Sequence, residues 1–314
     1  MISVIIITRN EEKNILECIY SVKTSLNFSK IKDYEIIVVD SNSSDLTLDL
    51  IINEDVRIIK LVQENNFFSA AMGRAIGAKV ANKETLLFLD ADMRLNIEWF
   101  SNSLKYLNEC DGVIGEIIDV NEENHEEILR LKRYNIKKVQ ECSTFGGALM
   151  IKKKALIEAG NYNYNIKINE ENELYSRLKM KKLKILEIPM VMAKHYTPKE
   201  NIIQKIRSII FTKYDNIRYG RALAFKYSIR NNSIIEFIVI KKEFYLSIIV
   251  DFISILSLFY GVKTFIFLQI FLLLYYSLRK HIKNYFIDKL EIIKFFIGVL
   301  SITKDNTVKY EVLK

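Results

Sequence analysis

A chain of 314 residues, half of them apolar, with only two prolines and no repeat or Gly/Ser-rich run, is excluded from the disordered and solenoid classes. Cys18, Cys110 and Cys142 are widely spaced without a CxxC pattern, which excludes a secreted disulfide framework. Residues 1–197 carry 27 Lys and Arg against 29 Asp and Glu, whereas residues 198–314 carry 19 against 9, so the positive excess is C-terminal. It accompanies the longest apolar runs, a combination that points to a membrane surface ahead of nucleic acid.

In chain order, short β-branched runs at 3–7, 35–39, 56–60 and 85–89 predict strands, and helical patterns fall near 13–25, 45–52 and 69–81. This alternation is the cadence of βαβ units, and it predicts an α/β domain on a parallel sheet. The runs Val4-Ile5-Ile6-Ile7 and Ile36-Ile37-Val38-Val39 are continuous because such strands are buried on both faces. The opening apolar run is too short for a signal-peptide core, so this domain is expected in the cytoplasm. Further strands are expected at 112–118, 148–151 and 184–188, completing a domain over residues 1–197.

Residues 198–314 form a second, mostly helical region. A basic helix is expected from about residue 200 past Tyr219, with Ile203, Ile206, Ile210 and Tyr214 on one stripe. The run 244–260 is interrupted by Asp251 and the run 264–278 by Gln269. Seventeen helical residues extend about 25 Å, short of a hydrocarbon core of roughly 30 Å, so a shallow hairpin and two full spans both remain open. Lys241-Lys242 precede the first run and Arg279-Lys280-His281-Lys283 follow the second, which puts both outer flanks on the cytosolic side of a cell membrane. A third stretch, 292–302, is too short to span.

In open sheets ligands bind beyond the carboxyl ends of the strands. Four polar clusters fall there: Thr8-Arg9-Asn10-Glu11-Glu12, Asp40-Ser41-Asn42-Ser43-Ser44-Asp45, Asn65 with Arg74, and Asp90-Ala91-Asp92. Singly, Asp40 can close an Asx-turn and Asp45 can cap a helix. Asp90-Ala91-Asp92 is the sharpest signal, because two carboxylates one residue apart at the end of an apolar strand repel unless a cation compensates them. Mg²⁺ or Mn²⁺ shared with a substrate diphosphate would do so, and would neutralise a nucleoside diphosphate as it leaves.

These stretches, with Gly146-Gly147-Ala148-Leu149 and Glu170-Glu171-Asn172-Glu173-Leu174-Tyr175-Ser176-Arg177, resemble the family 2 inverting glycosyltransferases from Ser3 to His195. The resemblance implies a GT-A fold, a Rossmann-like nucleotide-sugar-binding domain. It also implies that Thr8 and Glu11 line the nucleoside pocket and that Asp40 receives the base. Asp90 would contact ribose or metal, and Asp92 would bind the metal. Arg74 would meet a donor phosphate, although many relatives place an Arg-Asn pair where this chain has Met72-Gly73. The family's base lies in a Glu-Asp pair, here Glu170-Glu171, so Glu171 is the candidate, with Asn169 as the expected helix cap. A Glu is ionised at neutral pH and can accept a hydroxyl proton without a shifted pKa. His195 resembles a histidine that relatives carry near the donor phosphates as a metal ligand or phosphate contact.

The expected reaction is inverting transfer of a sugar from a nucleoside-diphosphate sugar to a lipid-linked or glycan acceptor at the membrane, with no nucleic-acid partner. A polyprenyl-phosphate glycosyl synthase is a variant of the same reading. A processive synthase is disfavoured because Gln204-Lys205-Ile206-Arg207-Ser208 lacks the Trp of the Gln-x-x-Arg-Trp motif. A sugar nucleotidyltransferase would need a Gly-rich loop after the first strand, and Thr8-Arg9-Asn10-Glu11 has no glycine. A binding protein that has lost catalysis would have no need to keep carboxylates at 90, 92 and 171.

Overall fold

The computed structural model describes residues 1–63, 67–124, 126, 136–197, 220–278, 292, 294–300 and 307–314. The helix expected between 200 and 219 lies outside the described residues, as do Asn65, His125 and His281. Two compact units result: Met1–Asn201 with Lys304–Lys314, and Ile202–Thr303.

The first unit is a mixed α/β domain on one sheet. Its first half comprises β1 (Ile2–Thr8), α1 (Ile15–Phe28), β2 (Tyr34–Asp40), α2 (Thr47–Ile51), β3 (Arg57–Val62), α3 (Ala70–Val80) and β4 (Thr85–Asp90). β1 pairs in parallel with β2 and β4, and β2 with β3. Val4, Ile5 and Ile6 of β1 are fully buried, each contributing roughly 1.5–3 kcal/mol relative to exposure. Gly73 lets α3 close on the sheet, since a Cβ there would lie 2.9 Å from Ile7 Cγ2. That close approach brings Arg74, one residue on, beneath the end of β4.

The second half adds β5 (Met93–Leu95), α4 (Trp99–Ser103), a 3₁₀ turn (Leu104–Asn108), β6 (Gly112–Asn121), β7 (Gln140–Glu141), β8 (Leu149–Lys152), α5 (Lys153–Glu158), α6 (Glu170–Met180) and β9 (Ile185–Thr197). With β10 (Lys309–Val312), the strand order is β10-β3-β2-β1-β4-β8-β6-β9-β5, with β7 paired to β9. The strand expected to stop at residue 188 runs on to Thr197. Pro189 falls where the β6–β9 register shifts between Ile114↔Glu187 and Glu116↔Val191, so no ladder bond is required of it. This continuation carries His195 opposite Met93.

β10 (Lys309–Val312) comes from the chain's last residues, counted by sequence with the C-terminal region. It pairs antiparallel with β3 and covers an edge that would otherwise present open backbone groups.

The second unit is helical: α7 (Gly220–Arg230), α8 (Ile234–Ile240), α9 (Lys242–Leu256), a 3₁₀ turn (Ser257–Tyr260) and α10 (Val262–Leu278). Phe225, Phe244, Tyr245 and Phe295 meet edge-to-face or tilted at centroid separations of 5.2–5.9 Å. Among the described residues no helix is long and apolar enough to cross a membrane. Within the described residues α9 has 15 residues and passes into a 3₁₀ turn, and α10 has 17.

Candidate active site

Strand register sets the site. Thr8 lies opposite Asp40, and Ile7 opposite Asp90, so three predicted residues stand side by side where the strand order reverses about β1. The loops after β1 and β2 are stitched together: Ser43 Oγ accepts from Asn10 N at 2.9 Å, and Asn10 Oδ1 accepts from Ser44 N at 2.8 Å. Asn10 and Asn42 adopt the left-handed conformation that these tight turns need, with φ of 56° and 61°. The Asp40 carboxylate accepts from the Ser43 backbone N–H at 2.9 Å and from the Ser43 hydroxyl. Asp45 accepts from the backbone and hydroxyl of Thr47 in a local turn, but the N-cap position of α2 is Leu46 and carries no side-chain cap, so Asp45 does not take the capping role open to it by sequence.

A cavity of about 310 Å³ opens beyond this edge, lined by Thr8, Arg9, Glu11, Ser41, Phe68, Asp90, Asp92 and Lys167 among others. Its size suits a nucleotide-class ligand. Asp40 and Arg74 lie outside the lining, whereas Arg9 and Lys167 bring positive charge to it. The Arg9 guanidinium sits 5.1 Å from the Phe68 ring centre. The Lys167 ammonium sits 5.8 Å from that of Phe67, its pKa lowered by burial and then by Arg9. Glu11 is raised by burial, against the hydrogen bond that Asn14 donates to it at 2.9 Å.

The repulsion within Asp90-Ala91-Asp92 is answered by the protein itself, one counter-group to each carboxylate. Arg74 is 1% exposed; its guanidinium donates to Asp90 Oδ1 at 2.8 Å, Glu170 Oε1 at 2.9 Å and Glu171 Oε1 at 3.4 Å. Expected at a donor phosphate, Arg74 is instead the buried counter-charge of three carboxylates. Burial alone would lower its pKa, but Asp90 and Glu171 hold it charged. Asp90 rises by burial, opposed by Arg74. Gly147 is also fixed here, because a Cβ would strike Asp90 Oδ2.

Asp92 has a different partner. Its Oδ2 lies 3.1 Å from His195 Nε2, and His195 Nδ1 lies 2.7 Å from Asp119 Oδ1. Burial would lower the imidazole pKa, but Asp119 and Asp92 together raise it to about 9. Asp92 Oδ1 is buried and makes no hydrogen bond among the described residues, and the same is true of Thr8 Oγ1. Asp119, 5% exposed on β6, lies within a strand that runs three residues past the end expected at 118.

Glu170 and Glu171 open α6. Asn169 does not cap it through its side chain: it takes a left-handed φ of 69°, and its Oδ1 accepts instead from Asn172 Nδ2 at 3.2 Å. Glu173 pairs with Arg177 at 2.8 Å and is structural. Glu170 is enclosed, and burial followed by the neighbouring charge of Glu171 pushes its pKa to about 8. Glu171 is the more exposed, with 19% of its side chain accessible against 5% for Glu170.

Among the described residues no three acidic, histidine or cysteine side chains by themselves form a metal cage. Asp92 and His195 nevertheless suit an ion shared with a diphosphate. Asp92 has an unpaired buried oxygen, and the imidazole is held from its far nitrogen by a carboxylate, as metal-binding histidines commonly are.

The model of glycosyl transferase family 2 matches residues 3–167. No curated protein matches the sequence. Among solved structures, S. aureus TarS is 18% identical with a TM-score of 0.53, covering 73% of this chain and 43% of that one. TarS 1–349 in complex with UDP-GlcNAc is 17% identical with a TM-score of 0.53, covering 72% and 71%. GalNAc-T7 with UDP, GalNAc and Mn²⁺ is 17% identical with a TM-score of 0.56, covering 72% and 48%. The chain thus spans less than half of full TarS and of GalNAc-T7, and at this identity the likeness is one of fold.

Proposed function

From the premise that this chain belongs to glycosyl transferase family 2, we propose that it transfers a sugar, with inversion, from a nucleoside-diphosphate sugar to an acceptor hydroxyl. The observation that carries this reading is the ionic bridge from Asp90 through Arg74 to Glu170 and Glu171, which ties the acidic end of α6 to the edge of the donor cavity. Thr8, Glu11 and Asp90 line the cavity for the nucleoside, and Asp40 shapes its base end through Ser41–Ser43. The ligands of TarS 1–349 and GalNAc-T7 favour uridine as that nucleoside.

Glu171 takes the proton of the acceptor hydroxyl, whose oxygen forms a bond to the anomeric carbon from the face opposite the nucleotide. The bond from that carbon to the diphosphate breaks, and the diphosphate leaves with the electron pair. Mg²⁺ or Mn²⁺ held by Asp92 and His195, with Asp90 beside them, would supply neutralisation of the leaving diphosphate. Mn²⁺ in GalNAc-T7 supports that assignment. Arg74 meanwhile keeps the carboxylates flanking the donor at a fixed spacing.

The basic, apolar C-terminal unit supports an acceptor presented at a membrane, a lipid-linked sugar or a glycan built on one, with the catalytic unit on the cytoplasmic side. Replacing Glu171→Gln is expected to lower transfer by about 10²–10⁴-fold while donor binding is retained. Full transfer activity in that variant removes Glu171 as the base.

A further inference from the structure

The helical hairpin of the second unit is built inside out. In α9 Ser247 and Ser254 are buried, at 2% and 0% exposure, as is Ser257 at the start of the 3₁₀ turn that follows, at 8%. Leu246, Ile249, Phe252, Ile253 and Leu256 face outward at 44–60% exposure, spaced three and four apart on one side of the helix. α10 likewise turns Ile266, Phe267, Ile270, Phe271 and Leu274 outward, at 49–66%. The two residues that interrupt the apolar runs meet across the hairpin, where Gln269 Nε2 donates to Asp251 Oδ1 at 3.3 Å. A helix pair in water buries its large apolar side chains and exposes its polar ones. Small and polar residues between helices, with large apolar ones outside, are the arrangement favoured when the surroundings are hydrocarbon.

We infer that α9 and α10 lie embedded in one leaflet of an anionic phospholipid bilayer, joined by the Asp251–Gln269 pair. Over the described residues the two helices extend about 22 and 26 Å, short of the roughly 30 Å needed to span. Charge placement selects a flat orientation over insertion tip-first. Lys242 opens α9 and Lys263 lies in the first turn of α10, so exposed cations stand at both ends of the hairpin. Tip-first insertion would bury the Lys263 ammonium in hydrocarbon, whereas a hairpin lying along the interface lets both lysines reach headgroup phosphates. The net charge of +10 over residues 198–314 complements an anionic surface and opposes docking of a second copy. This inference concerns where the enzyme sits and does not depend on the donor chemistry.

The test is flotation of the full chain with phosphatidylglycerol-containing vesicles and with pure phosphatidylcholine vesicles. The native protein is expected to float with the anionic vesicles. Phe252→Asp with Phe267→Asp is expected to lower the bound fraction about tenfold, and Lys242→Glu with Lys263→Glu to weaken the preference for anionic lipid. Nucleotide-induced thermal stabilisation should stay unchanged in both variants, which separates a failure here from a failure of the proposed chemistry. Because Cys18, Cys110 and Cys142 are buried, an environment-sensitive fluorophore on Val262→Cys reports the hairpin tip. Quenching by shallow nitroxide lipids should exceed quenching by deep ones. Flotation unaffected by the two aspartates, deeper quenching at residue 262, or a dimer that the aspartates dissolve while native protein ignores vesicles would each overturn the inference.

Discussion

The two sides of the Asp90-Ala91-Asp92 turn carry the same acid and are compensated in opposite ways. On one side Asp90 shares the enclosed guanidinium of Arg74 with Glu170 and Glu171, a positive charge that no accessible pH removes. On the other side Asp92 meets His195, a group that can give up its proton, and keeps one buried oxygen without a partner. A permanent counter-charge holds a structure in place. A conditional one can be exchanged for a cation that arrives with substrate, which is why the Asp92 side is the one proposed to take a metal.

Removing the permanent charge should have the largest effect. Arg74→Met strands three carboxylates in a buried setting and is expected to cost about 3–5 kcal/mol in chemical denaturation. Arg74→Lys should recover only part of this, because one ammonium cannot reproduce a guanidinium donating in three directions. An Arg74→Met protein as stable as the native one would erase the contrast between the two sides. On the conditional side, Asp119→Asn frees the imidazole from its positioning partner. It should weaken Mn²⁺ binding in the presence of a nucleoside diphosphate about 10–100-fold by calorimetry, with the melting temperature of the ligand-free protein little altered. A melting temperature that falls as far as in Arg74→Met would make both sides merely structural.

The smallest effect concerns pH. Glu170 has a folded-state pKa raised from 4.5 to about 8, so over that interval the folded state binds more protons than the unfolded state and stability falls as pH rises. Glu170→Gln should flatten this decline in melting temperature between pH 5 and 8. An unchanged slope would mean that Arg74 already compensates Glu170 in full.

Much of the donor edge was legible in the sequence because its strands are continuous β-branched runs and each ends in a polar cluster. The repulsion at Asp90-Ala91-Asp92 was also legible, but its internal compensation was not, since Arg74 and His195 arrive from elements 16 and 103 residues away from their partners. His195 was identified as a residue after a strand. It lies within one, because the register shift at Pro189 lets β9 continue. Asp119 follows an expected strand outside the four of the donor edge, and Lys167 lies in an irregular loop, so neither was marked by the pattern of strand ends. In the C-terminal unit the apolar runs were plain and their interruptions looked like defects, because the pairing of Asp251 with Gln269 depends on how the hairpin closes. The nucleotidyltransferase reading is set aside by the family match across the donor edge.

A metal-assisted nucleoside-diphosphate site at Asp92 can be probed by thermal shift with uridine and guanosine diphosphates, each with and without Mn²⁺ or Mg²⁺. A native-state ligand raises the melting temperature by mass action. The account predicts a metal-dependent rise with one nucleotide, preserved in Glu171→Gln and lost in Asp92→Asn. No rise with either nucleotide under any metal, or a rise undiminished in Asp92→Asn, would contradict it.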